Sequence, residues 1–305
     1  MDVVRREVGA HRLFDRYVIV DWSAHSSPKR GRDSIWIAVV DGSGSVAHLS
    51  NPSTRHIAIE QIGRLLGDAD ERVLIGWDFS FGYPAPFASA LTGRRGAAWS
   101  DVWRWFHDEV TDEANNANDR FIGARRLNQS LDAAGHGRPF WGFPGNMSIS
   151  GVPRTRPQNY GSFDEFRLTE HRVRSHGHRP FSSWQLAYPG SVGSQMMLGM
   201  HWLMKVKGDD MWNRPIQIWP FETGIGLGSG VVPKGTVLCA EVWPSMFHID
   251  RSRHEVTDAA QVLSVANHLA QVDLSGELEK WFDPALTDRE RRVVLREEGW
   301  TLGVV

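Results

Sequence analysis

Two apolar runs in this chain stop on an aspartate and continue into an aromatic residue and a serine. They are Tyr17-Val18-Ile19-Val20-Asp21-Trp22-Ser23 and Val73-Leu74-Ile75-Gly76-Trp77-Asp78-Phe79-Ser80. A run apolar at every position reads as a strand buried on both faces, the condition at the centre of a parallel sheet. A carboxylate cannot stay unpaired in so dry a place, so each aspartate must meet water, a donor or a cation at the carboxyl edge of its strand. Glu241 stands near the end of a similar run, Thr236 to Val242, and Asp258 stands at the start of a helical pattern beginning at Thr257. Acids converging from separate segments repel one another unless a hard divalent cation neutralises them, and oxygen-only ligation suits Mg²⁺ or Mn²⁺. Two such ions roughly 4 Å apart activate water and stabilise the leaving oxygen of a phosphodiester. Two plainer roles compete: Asp258 as a helix cap, and Glu241 as an edge residue paired with an arginine.

The elements that must position these acids can be read in order. Ser34 to Val40 is a second strand, Asp41-Gly42-Ser43-Gly44 supplies hairpin chemistry, and Ser45 to Leu49 is a third strand, giving an antiparallel meander with the first. Ile57, Ile59, Ile62, Leu65 and Leu66 recur at helical spacing. That helix carries the chain over, so that the Val73 strand lies parallel to the Tyr17 strand. After residue 190, Ser191 to Lys205 reads as an apolar helix, Ile216 to Phe221 and Thr236 to Val242 as strands, and Thr257 to Leu269 as a helix with capping residues at its start. A terminal helix and tail follow. Between the two ordered parts, residues 85–185 break the pattern. Helices are expected only near Trp99 to Phe106 and Phe163 to Val173, and the rest is rich in Gly, Pro, Asn and Arg. A stretch this long with so little regular structure reads as a functional insertion.

The 305 residues, 41% hydrophobic and 23% charged, suffice for a full core. A formal charge of -2 gives no global attraction to nucleic acid or membrane, so a polyanionic partner must be argued from local patches. One such patch lies in the insertion, where residues 120–179 hold ten arginines against four acids. Arg125, Arg126 and Arg167 are candidate phosphate clamps through bidentate bonds, against the alternative of an ion-paired surface. Cys239 is the lone cysteine, which excludes an internal disulfide and a cysteine zinc site and fits a reducing compartment. The first sixteen residues carry Arg5, Arg6, Arg12 and Arg16 without an apolar core, and no apolar 18-mer follows. A cytoplasmic location with no membrane partner is expected. The fourteen tryptophans are expected mostly in the core, as are Trp141-Gly142-Phe143 and Pro180-Phe181-Ser182-Ser183-Trp184, although such groups can also stack on bases. The Gly224 to Gly230 stretch fits neither phosphate-loop spacing and is expected to be a turn, and His171, His176 and His178 are expected to form a surface cluster.

Taken in order, Val20-Asp21, Trp77-Asp78-Phe79-Ser80-Phe81-Gly82-Tyr83-Pro84, Phe166-Arg167 through Glu170, Glu241-Val242-Trp243-Pro244 and Asp258-Ala259-Ala260 resemble the motifs of the DUF429 family, predicted nucleases of the ribonuclease H-like fold. The resemblance implies an α/β protein: a single domain over 1–305 with a ribonuclease H-like mixed five-stranded sheet, flanking helices and an Arg-rich insertion at 85–185 lying over the site. It implies Asp21, Asp78, Glu241 and Asp258 as catalytic metal ligands for Mg²⁺ or Mn²⁺, in a phosphodiester hydrolase acting on nucleic acid or a phosphorylated small molecule. Trp22 stands where the family carries glycine, and its ring is expected to narrow access for a duplex. The alternatives are a small-molecule phosphotransferase or a protein associated with cofactor biosynthesis on the same fold, and a non-catalytic binding module. The phosphotransferase is disfavoured because Asp21-Trp22-Ser23-Ala24 lacks a glycine for close phosphate approach.

Overall fold

The computed structural model describes residues 12–188, 191–227 and 232–305. Arg5, Arg6 and the last part of the glycine-rich stretch lie outside them. The strands are β1 (Arg16–Asp21), β2 (Trp36–Asp41), β3 (Val46–Ser50), β4 (Val73–Trp77), β5 (Ile216–Ile218) and β6 (Val237–Glu241). The helices are α1 (Arg55–Leu65), α2 (Phe87–Thr92), α3 (Trp99–Glu109), α4 (Arg120–Ala133), α5 (Leu168–Ser175), α6 (Gly193–Gly208), α7 (Thr257–Leu274), α8 (Leu278–Trp281) and α9 (Asp288–Val293). The fold is α/β, with one mixed six-stranded sheet in the order β3-β2-β1-β4-β6-β5 and helices on both faces.

The meander is present: β1 pairs antiparallel with β2, and β2 with β3. The α1 crossover returns β4 parallel to β1, and β6 and β5 continue in the parallel sense. The sheet has six strands where the family resemblance implied five: the strand read at Ile216 is present, shortened to Ile216–Ile218, and joins the sheet as an edge beyond β6. Strand residues alternate between two cores. Val18, Val20, Trp22, Ile75, Trp77 and Cys239 face a layer containing α1, α3 and α6. Ile19, Leu74 and Ala240 face α7, which covers the other side with Val262, Val265, Ala266 and Leu269. The helix α6 is apolar nearly all round, and a helix of that kind must be enclosed.

The 85–185 segment is more regular than its composition suggested. It contains α2 to α5, and α4 was hidden because its apolar face is narrow and interleaved with Arg120, Arg125 and Arg126. Phe87, Trp103, Phe106, Leu127, Phe140 and Trp184 belong to the same buried cluster as one sheet face, so the segment builds the core there. Trp22 also points into that cluster, fully buried and edge-on to Trp77 with ring centroids 5.5 Å apart. Its ring therefore does not narrow the approach to Asp21. Among the described residues no helix is long and apolar enough to cross a membrane.

Gly199 of α6 shows how tightly the helix layer is seated on the turn after β4. A Cβ built there would overlap three ring carbons of Phe79. Alanine favours a helix interior by ~1 kcal/mol over glycine, whereas forcing a carbon into a filled core costs about 1–3 kcal/mol. Overpacking wins because the ring is itself packed between Trp22, Trp77 and Phe81. Gly199→Ala is expected to lower the urea midpoint at unchanged slope; a raised midpoint would show that Phe79 has room to move.

Candidate functional site

Register brings the first two acids together. Val20 pairs with Trp77 in the parallel ladder, and the Asp78 amide donates to the Val20 carbonyl at 3.0 Å. Asp21 and Asp78 therefore follow their strands at the same level. The two-residue alternation places both on the α7 side of the sheet, two positions beyond Ile19 and four beyond Leu74. Neither side chain accepts a hydrogen bond from a protein donor among the described residues. Burial raises the pKa of the Asp21 carboxyl well above the usual carboxylate value, and the charges of Asp78, Asp258 and Asp33 raise it further. Burial, with Glu241 and Asp258 nearby, raises the Asp78 carboxyl to about 7.

Asp258 joins them from α7, as its position near the helix start required. It does not cap that helix: the cap is Val256, which makes no side-chain bond, so the expected capping chemistry is absent there. Instead Oδ2 of Asp258 accepts from the Asp33 amide at 2.6 Å. Burial raises the Asp258 pKa, while that amide and the charges of Arg32 and Lys29 pull it down. Asp33 was missed in the sequence. It sits in a polar turn with a left-handed backbone (φ 54°), and nothing local marks it as facing β1.

Glu241 is placed differently. It pairs in register with Trp77, one residue short of Asp78, so its side chain leaves the sheet on the opposite face. There it is buried, 4% exposed, and surrounded by donors. Its Oε2 accepts from the Phe81 amide at 3.0 Å and from Arg167 Nη1 at 2.8 Å; its Oε1 accepts from Arg167 Nη2 at 2.6 Å and Thr301 Oγ1 at 2.7 Å. The reading of Glu241 as an arginine-paired residue is the one this geometry favours. No parity signal distinguishes them in the sequence, because Glu241 and the aspartates all stand where apolar runs give out.

Arg167, expected as a phosphate clamp, is fully buried and bound on every side. Besides Glu241 it holds Glu170 through Nε and Nη2, and Nη1 donates to the Glu298 carbonyl at 2.7 Å. Burial alone would lower its pKa, but Glu170 and Glu241 outweigh burial and raise it. It is an internal tie between α5, β6 and the 298–301 segment. Arg126 is half-exposed and paired with Glu109 at 2.9 Å and Asp119 at 3.2 Å, which matches the ion-paired surface reading. Arg125 makes no ion pair among the described residues, and its Nε is buried without a partner.

Two arginines that the sequence did not single out shape the loop following Asp21. Arg55 forms a bidentate pair with Asp112 (both bonds 2.6 Å) and donates from Nη1 to the Ser23 and His25 carbonyls at 2.9 Å. Arg120 Nη1 reaches Ser26 Oγ at 2.8 Å. Both lie at helix starts with no distinguishing neighbours. All three histidines are exposed, as a surface position requires; His171 pairs with Asp164 at 3.3 Å, and His178 packs edge-on to Trp243.

Among the described residues, no three His, Cys, Asp or Glu side chains are grouped as a ready metal cage. What the edge offers is a carboxylate pair without protein donors among those residues. That donor set fits Mg²⁺, which keeps several waters and binds through one or two carboxylates plus substrate phosphate. Beside Asp78 opens a small cleft of about 50 Å³.

No family model, curated protein or solved structure matches the chain.

Two outcomes follow from these charges. In metal-free buffer the folded chain holds a proton on Asp78 that the unfolded chain, with its ordinary aspartate, releases from about pH 4 upward. Stability from this group is therefore present at low pH and lost as pH rises toward about 7. Because Asp78 is partly exposed, the loss is about 1–2 kcal/mol. Urea unfolding across pH 5–8 should show it for the unaltered protein and much less for Asp78→Asn; equal slopes would remove Asp78 as the source. Arg167→Met leaves Glu170 and Glu241 buried without their cation and is expected to cost about 3–5 kcal/mol. A loss below about 1 kcal/mol in the same assay would show that water replaces the guanidinium.

Proposed function

We propose that this chain is a divalent-metal-dependent phosphodiester hydrolase of ribonuclease H-like architecture, related to the DUF429 family. One observation carries the reading: Asp21 and Asp78 stand side by side at the carboxyl ends of parallel strands, partly buried, with no protein donor among the described residues. Two such carboxylates hold like charge at a cost that only protons or a cation can relieve. The strand order supports the architecture, since an antiparallel meander continued by parallel strands places both aspartates at its centre.

In this reading Asp21 and Asp78 hold Mg²⁺ or Mn²⁺, with Asp258 close by on the same face. The bound ion supplies Lewis acidity toward a phosphoryl oxygen and lowers the pKa of water. The chain's own residues do the rest. Arg55 holds the Ser23 and His25 carbonyls and Arg120 the Ser26 hydroxyl beyond Asp21, and the Asp33 amide orients Asp258. Lys29 and Arg32, whose charges reach Asp258, supply the positive potential that attracts a phosphate. Glu241 serves as a positioning residue: by accepting from the Phe81 amide it braces the turn that carries Asp78. The 85–185 segment acts as a packed layer of one domain, with its phosphate contacts sought outside Arg126 and Arg167.

Calorimetric titration with Mn²⁺ tests the reading. The unaltered protein is expected to bind, Asp21→Asn and Asp78→Asn are each expected to weaken binding at least tenfold, and cleavage of a labelled oligonucleotide is expected to fall with them. Metal binding without turnover on any nucleic acid would favour a binding module. No binding with oligonucleotide present would end the metal-hydrolase reading.

A further inference from the structure

Three arginines among the described residues are buried: Arg55, Arg120 and Arg167. Arg55 has its bidentate pair with Asp112, and Arg167 has Glu170 and Glu241. Arg120, 8% exposed, has no acidic partner among the described residues. Its bonds all go to neutral acceptors. Nε donates to Ser194 Oγ at 2.9 Å, and Nη1 donates to Ser26 Oγ at 2.8 Å and to Asn118 Oδ1 at 2.6 Å. The Phe121 ring covers one face, its centroid 4.3 Å from Cζ, which softens the charge without cancelling it.

A charge taken out of water without a counter-charge is costly, and a fold keeps one only where something relieves it. Asp112, whose charge reaches Arg120, is taken by Arg55 and the Trp202 indole. Burial lowers the Arg120 pKa to about 10, and the charge of Arg55 adds to the fall. The guanidinium therefore stays charged at neutral pH. The surroundings are positive as well: burial and the charges of Lys29, Arg120 and Arg55 lower the pKa of His25, against the opposing charge of Asp33.

We propose that Arg120 and Ser26 form a binding site for a phosphate group and, resting on the hydrolase reading, that it seats a phosphate of the substrate other than the one being cleaved. Two donors are available to it. Nη2 of Arg120 makes no bond among the described residues and is not shut in. Ser26 is exposed, and because its oxygen accepts from Nη1 its own proton is free to turn outward. A phosphate accepts from both at once through separate oxygens, and its charge supplies what Arg120 lacks. Ser26 lies five residues beyond Asp21, a span of at most about 18 Å. A group held there is within reach of the substrate held at the carboxylates.

The test measures inorganic phosphate binding in metal-free buffer, as the rise in urea midpoint over sodium chloride or sodium acetate of equal ionic strength. Phosphate is expected to raise the midpoint of the unaltered protein, and acetate to leave it where chloride does. Arg120→Met is expected to weaken phosphate binding at least tenfold and Ser26→Ala about three- to tenfold. Arg126→Gln, which alters an ion-paired surface charge on the same helix, is expected to bind as the unaltered protein does. Ser26 is exposed, so Ser26→Ala carries the test even where Arg120→Met does not fold. Absence of a phosphate effect, an equal effect of acetate, full binding in Ser26→Ala or an equal loss in Arg126→Gln would each overturn the site. A lowered midpoint of Arg120→Met in chloride with its phosphate effect intact would do the same, since it marks a residue that only holds the loop. A labelled thymidine hexanucleotide in Ca²⁺ buffer, which prevents turnover, then separates the sources of the phosphate. Competition by inorganic phosphate, with a salt slope reduced by about 0.7 in Arg120→Met, identifies a phosphate of the strand. An unchanged slope removes the substrate assignment and gives the site to a free phosphate. Mn²⁺ calorimetry on the same samples keeps the two readings apart. Metal bound without a phosphate effect removes this site alone, and a phosphate effect without metal binding removes the hydrolase reading alone.

Discussion

The parallel pairing of β1 with β4 is the constraint on which this edge depends. Once Val20 lies opposite Trp77, the next residue of each chain must leave the sheet at the same level and on the same side. Both next residues are aspartates, and among the described residues neither is offered a donor. Elsewhere the fold satisfies its buried acids with care. Asp112 receives a bidentate arginine and the Trp202 indole, and Asp273 receives the Leu13 and Phe14 amides and the Tyr17 hydroxyl. The contrast separates acids that hold the fold together from a pair that the fold leaves under tension.

Glu241 shows how one residue of register changes a role. Asp78 and Glu241 stand close enough to share an electrostatic field, yet they leave the sheet on opposite faces. On its own face Glu241 becomes the acceptor for an arginine, a threonine and a backbone amide. Its influence on the aspartates is mechanical, through the turn from Asp78 to Phe81, and electrostatic, through the charge that Arg167 only partly cancels.

Much of the sheet was legible in the sequence because strands buried on both faces show as continuous apolar runs bounded by turn residues. Asp21 and Asp78 were legible for the same reason, as polar interruptions of such runs. Asp258 was visible as an acid at a helix start, although its partner there was not. What stayed hidden depends on tertiary contact. Pairing register decided the side on which Glu241 falls. The burial of Arg167 follows from α5 meeting β6 and the segment at 298–301, and Arg55 and Arg120 look like ordinary helix residues until their carbonyl and hydroxyl partners are in place. The Arg-rich composition of 120–179 suggested a surface, but it blends exposed ion pairs such as Arg138–Asp132 with a deeply internal guanidinium.

The Arg167 tie also bears on how the molecule acquires its shape. Its bonds join positions 74 residues apart, to Glu241, and 131 residues apart, to the Glu298 carbonyl. Contacts of such long range carry a loop-closure entropy that local contacts do not. Until they form, Glu241 has neither its guanidinium nor its threonine, and the turn behind Asp78 has no brace. The geometry of the acidic edge is therefore tied to the closing of the whole fold, not to the two strands that carry the aspartates alone.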